Sequence, residues 1–192
     1  MSTAPLPLRP LDLLDESQTI LSSVIEGAAD SLDAPTPCSA YTVGQVISHT
    51  LATLDSFAAP LDGGPGATFE EIVAAADRTD GDAAGATKRA VERSHAAWAS
   101  VTDLEAPVTT NLGPVPGGVA ISVVTFQNLV HAWDIARATG QAIAPSDALL
   151  DVCEGTAAAI IPAVPPGFFA PATEAGDAGR LDRLAALTGR TV

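Results

Sequence analysis

FQNLVHAWDIARATG, residues 126–140, is the stretch that decides the fold. Extended back to Ala120, it forms the most apolar helical segment of the chain, with Gln127, Asn128, His131 and Asp134 set among apolar neighbours. Gly140 follows as a terminator able to take the left-handed conformation. A histidine that points into a helix bundle must have its ring nitrogens satisfied by hydrogen bonds or by a metal. His131 therefore marks the place where chemistry can enter an otherwise structural helix.

Working outward, TPCSAYTVGQVISHTL (residues 36–51) carries the second such histidine, His49. Thr42 reads as an N-cap and Gln45, three residues on, completes a capping box. The helix it opens places Val43, Val46, Ile47, Leu51, Leu54, Ala58 and Leu61 at helical spacing and ends at Gly63-Gly64-Pro65-Gly66. Upstream, the apolar spacing from Leu13 to Ile25 predicts a helix over residues 11–32, closed by the prolines of residues 33–37. Thr68 with Glu71 forms a second capping box and predicts a short helix to about Asp77. A loop is expected over residues 78–85, then a helix over 86–101. Gly113, Pro114, Pro116 and Gly117-Gly118 predict a hairpin or irregular crossing between 107 and 118. Ser146 caps a helix to Ile161, residues 162–179 are extended, and a terminal helix from Arg180 stops at Gly189. The fold class read from this pattern is all-α: a four-helix bundle with short extra helices and an extended C-terminal segment. Residues 1–162 are expected to form the bundle and 163–192 an extension packed on it.

Composition narrows the function. The net charge of −14 disfavours nucleic acid and anionic membrane surfaces. No uninterrupted apolar window of membrane-spanning length appears, and the opening residues lack a basic segment followed by an apolar run, so no membrane span or signal peptide is expected. A cytoplasmic location follows. Two cysteines among 192 residues make a poor disulfide framework. The oligomeric state is left open by the sequence, with a homodimer as one candidate because Ala-rich bundles of this size often pair.

Gln127 and His131 lie four residues apart, about 40° around the helix axis, and so share a face. If the helix of His49 packs against that face, His49, Gln127 and His131 converge. Three side chains from two helices with an open fourth position is a common way of holding a catalytic zinc. The open position leaves room for water or a thiolate. Asn128 points about 100° away and is not expected to be a ligand. Asp134 either orients His131 as a carboxylate behind it or pairs with Arg137 or Arg93. Cys38 reads as a buried turn residue, Cys153 as packing and His95 as a solvated surface histidine. Trp98 and Trp133 read as core wedges, with Tyr41 and Trp133 as alternatives for a pocket mouth.

Three stretches, TPCSAYTVGQVISHTL, LVHAWDIARATGQ and FFAPATEAGDAGRLDRLAALTGR, resemble the mycothiol-dependent maleylpyruvate isomerase-like family of the DinB-like superfamily, in an uncharacterised actinobacterial-type metal-binding branch. They span nearly the whole chain. The resemblance implies a DinB-like four-helix bundle with a divalent metal, zinc or nickel, near one end, and mycothiol as thiol cofactor. It implies ligands at His49, Gln127 and His131, where Gln127 departs from the acidic residue or histidine of the family pattern. A neutral amide leaves the site at +2 instead of +1, so metal binding is expected to be weak or absent. The function expected is a metal- and thiol-dependent isomerase or transferase acting on a small electrophilic molecule. The alternative is a non-catalytic bundle that has lost its metal and binds a small ligand or a partner. Maleylpyruvate itself would need a cationic site for two carboxylates, and among arginines only Arg137 is expected near the pocket helices' inward faces.

Overall fold

The computed structural model describes residues 9–192; the opening residues, whose reading as no signal peptide is given above, lie outside them. In chain order the elements are α1 (Pro10–Glu26), α2 (Val43–Asp62), α3 (Phe69–Ala74), α4 (Ala83–Ala99), β1 (Pro107–Thr110), β2 (Gly113–Pro116), α5 (Gly117–Thr139), α6 (Asp147–Ile160) and α7 (Arg180–Leu187). The architecture is the all-α, DinB-like bundle expected, built from α1, α2, α4 and α5. Each of the four packs on two neighbours, in the order α1–α4–α2–α5 around the bundle.

Two cores show how the helices run. One joins the second half of α1 (Leu21, Val24, Ile25) to the start of α2 (Val43, Val46, Ile47) and the end of α5 (Ala132, Ile135, Ala136). The other joins Leu14 near the start of α1 to Leu54 of α2, Trp98 of α4 and the first turns of α5 (Ala120, Ile121, Val124). Hence α1 and α5 run in one direction and α2 and α4 in the other. Parallel neighbours cannot be joined by a tight turn, so α2 and α4 are linked by residues 63–82. This link carries α3 back along α2. That return lays the backbone of Ile72 beside His49.

Helix α5 is the centre of the molecule. It packs on α1, α2, α6 and α7, which explains why it is apolar on nearly all sides. By length and composition it is the one helix among the described residues that could cross a membrane, yet 78% of that window is buried inside the fold. A third core fills the space between it and α6, with Phe126, Leu129 and Val130 against Leu149, Leu150 and Cys153.

Local signals set the boundaries. Both capping boxes form: Gln45 N–H donates to Thr42 Oγ1 at 3.4 Å and Thr42 N–H to Gln45 Oε1 at 2.9 Å, with Thr68 and Glu71 repeating the pattern. Residues 107–116 form an antiparallel hairpin with Pro107 opposite Pro116. Helix α1 ends at Glu26, short of the expected Leu32, because the chain turns at Gly27 while Ala28 stays fully buried and keeps its place in the core. Helix α3 stops at Ala74, before Asp77, where Ala75 takes a left-handed φ of 45°.

Candidate metal and ligand site

The rings of His49 and His131 meet edge to face, 4.9 Å between centroids at 77°. They come from α2 and α5, which run antiparallel and side by side. His49 Nδ1 lies 2.9 Å from the carbonyl oxygen of Ile72. A carbonyl can only accept, so Nδ1 carries the proton and the Nε2 lone pair is left free. Burial first, then the neighbouring His131, pushes the His49 pKa down to about 3. The ring is therefore neutral at physiological pH.

His131, 7% exposed, is held the same way by a different acceptor: its Nδ1 lies 3.3 Å from Asp134 Oδ2. Asp134 is completely buried. Burial opposes its ionisation, but hydrogen bonds from His131 and Arg190 and the Arg190 charge outweigh that and hold its pKa below the ordinary carboxylate value. The Arg190 guanidinium meets it in a two-pronged pair, Nε to Oδ1 at 3.2 Å and Nη2 to Oδ2 at 2.8 Å, and spends Nη1 on the Thr188 carbonyl at 3.2 Å. An ionised Asp134 accepts from His131 Nδ1, which fixes the ring orientation and favours the tautomer whose lone pair is on Nε2.

Gln127 stands one turn before His131 on the same helix face. Its Oε1 is buried with no hydrogen-bond partner, a condition shared among the described residues only by Gln18 Oε1 and Trp98 Nε1. Asn128 takes no part: it is buried against α1 and donates to Ser17 Oγ at 3.3 Å.

His49, Ile72, Gln127, His131 and Arg190 line a cavity of about 1380 Å³. Its walls come from α2, α3 and α5, from the chain after α6 (residues 161–172) and from residues 187–190. Phe69 of α3 stacks on Phe168, centroids 5.0 Å apart, and Phe126 meets Phe169 edge to face at 6.4 Å. The extended C-terminal segment thus covers the site. Gly189 makes the last turn possible: its φ is +86°, and a Cβ there would collide with Ala170. The chain then directs Arg190 toward Asp134.

The structure corrects three expectations. Asp134 pairs with neither Arg137 nor Arg93: Arg137 lies over the Trp133 ring at 5.4 Å, and Arg93 is held by Asp55 at 2.7 Å and Asp62 at 2.8 Å. Trp133 does not line the cavity; its indole N–H donates to Asp182 of α7 at 2.8 Å. The arginine that reaches the site is Arg190, from beyond the last helix, and not Arg137. Tyr41 does line the cavity, its ring 5.3 Å from that of His49, and its hydroxyl donates to the Val73 carbonyl. Cys38 lines it as well as making its turn, and burial pushes its thiol pKa up, which keeps it protonated. Cys153 is core packing, its thiol pushed by burial up to about 12. His95 is exposed and pairs with Asp15 at 2.6 Å.

Sequence reasoning missed Arg190, the Ile72 carbonyl and the phenylalanines of residues 168–169. The available signal was the glycine before Arg190, which marks a forced turn after a helix end. Among the described residues no group of three or more His, Cys, Asp or Glu side chains gathers, since the third donor here is an amide.

Known proteins resemble this chain over most of its length. Residues 14–136 match the profile of the mycothiol maleylpyruvate isomerase N-terminal domain. An uncharacterised protein of Mycobacterium tuberculosis, found in two strains, is 33% identical over 175 residues, which cover 85% of this chain and 87% of that one. Crystal structures of mycothiol-dependent maleylpyruvate isomerase and of a histidine-to-alanine mutant of it superpose with a TM-score of 0.56 at 17% identity, over 79% of this chain and 70% of theirs. That structural likeness establishes a shared fold.

Proposed function

The chain belongs to the mycothiol maleylpyruvate isomerase N-terminal domain family, and on that premise we propose that it is a cytoplasmic, thiol-dependent isomerase or transferase acting on a small electrophilic molecule. His49, Gln127 and His131 are the residues that would hold a divalent metal, zinc or nickel. One observation carries this reading. Two imidazoles with their Nδ1 atoms committed to oxygen acceptors stand beside a buried amide oxygen that no donor reaches.

The residues fit a cation in three respects. A buried carbonyl without a donor costs about 1–3 kcal/mol, which a cation offsets. His49 presents an Nε2 lone pair, and its depressed pKa keeps protons from competing for it near neutral pH. Asp134 and Arg190 lock the orientation of His131 from behind. A bound divalent cation would lower the pKa of a thiol at the site and so supply a nucleophile at neutral pH.

The chain's own contribution is placement and exclusion of water. Cys38 stays a thiol and does not replace the cofactor's sulfur. The phenylalanine cover over residues 168–169 shields the reacting groups. Family membership supports mycothiol as the thiol. The neutral Gln127 favours a second reading, a binding bundle whose metal has been lost. Zinc and nickel titration by calorimetry, followed by a mycothiol conjugation assay with an electrophilic substrate, separates the two. Metal binding with thiol-dependent turnover supports the enzyme; failure of both leaves the binding module.

A further inference from the structure

The reaction's second participant can be read from the cavity walls, an inference that rests on the thiol-dependent reading above. At about 1380 Å³ the cavity exceeds the roughly 300–1000 Å³ typical of small-ligand sites. Phe69, Val123, Phe126, Val130, Phe168 and Phe169 are among its apolar walls. Space bounded by such side chains offers water few hydrogen-bond partners and favours an apolar occupant.

Charge points the same way. Of the residues lining the cavity, Arg190 alone carries a permanent charge among the described residues. Each of its three nitrogens already donates, Nε and Nη2 to Asp134 and Nη1 to the Thr188 carbonyl. A substrate carboxylate that drew Arg190 away would strand Asp134, which is fully buried, without its counter-ion. A dicarboxylate would need two such side chains, and the walls supply one, already paired with Asp134.

We propose that the substrate is an uncharged, predominantly apolar molecule of aromatic or long-chain type, and that a small dicarboxylate is excluded. The imidazoles and Gln127 serve the thiol end of the cavity, and the phenylalanine-lined remainder takes the apolar body.

The test uses the full chain, freed of metal with a chelator, and the uncharged fluorophore N-phenyl-1-naphthylamine. The probe is expected to bind with enhanced emission, to be displaced by undecan-2-one, and to be unaffected by maleate at about hundredfold higher concentration. Phe168→Asp, at a half-buried position of the cover, is expected to weaken the probe by about tenfold or more, with an unchanged urea midpoint showing that the bundle stays folded. No probe binding, or displacement by maleate at the ketone's concentration, overturns the proposal. A parallel zinc titration keeps the two readings apart. If zinc fails to bind while the probe still does, the metal site falls and the apolar cavity stands; if zinc binds and the probe does not, the reverse holds.

Discussion

Two histidine–carboxylate pairs sit on this bundle, and they behave as different chemical objects. His131 and Asp134 have side chains 9% and 0% exposed; His95 and Asp15 are 47% and 42% exposed. The exposed pair has the shorter contact, 2.6 Å against 3.3 Å, but it lies in water, where ions are screened and such pairs contribute about 0–1 kcal/mol. The buried pair cannot be hydrated, so Arg190 is drawn in to balance Asp134, and His131 becomes fixed in ring orientation and tautomer. Distance alone would rank the two pairs wrongly. Burial, and the third partner it demands, separates a site from a surface contact.

The largest expected break in this comparison comes from Asp134→Ala. It leaves the Arg190 guanidinium buried without its counter-ion and should cost roughly 3–5 kcal/mol by urea unfolding, whereas Asp15→Ala should cost under about 1 kcal/mol. Equal losses would show that burial does not distinguish the two pairs.

Acid should expose the same contrast. In the metal-free protein His49 has a folded pKa of about 3, below the unfolded value near 6.5. The unfolded chain therefore binds more protons between those values. Stability from this group is complete above about pH 6.5 and is lost as pH falls toward 3, amounting to about 3 kcal/mol between pH 7 and pH 4. Unfolding curves of wild type and His49→Gln across that range should converge as the pH drops.

Charge at the third donor sharpens the site further. Gln127→Glu should strengthen zinc binding by more than about tenfold in calorimetry, because a carboxylate lowers the charge left in the bundle. Equal affinities would remove Gln127 from the donor set. The smallest effect should come from His95→Ala, within about 0.5 kcal/mol in stability and without change in zinc affinity.

What could be read from the sequence follows the range of the interaction responsible. The capping boxes at Thr42 and Thr68, the stop at Gly140 and the shared face of Gln127 and His131 depend on residues within four positions of each other, and they form as expected. That His49 would approach His131 required only that two apolar helices pack. The glycine before Arg190 marked a turn, but the pairing with Asp134 was invisible because the two are 56 positions apart, and periodicity carries no information over that span. The Ile72 carbonyl was invisible because backbone acceptors have no sequence signature; α3 brings this one to His49 only after the return along α2. Phe168 and Phe169 sit in a stretch punctuated by prolines, which reads as a linker until its aromatic contacts with α3 and α5 are seen.

The guanidinium that neutralises the centre of the molecule is carried on the chain beyond α7, outside the four bundle helices. Without it, those helices would enclose a naked anion, and the imidazole beside that anion would have no settled orientation. A variant cut after Gly189 would therefore be injured in the middle of the protein and not at its edge.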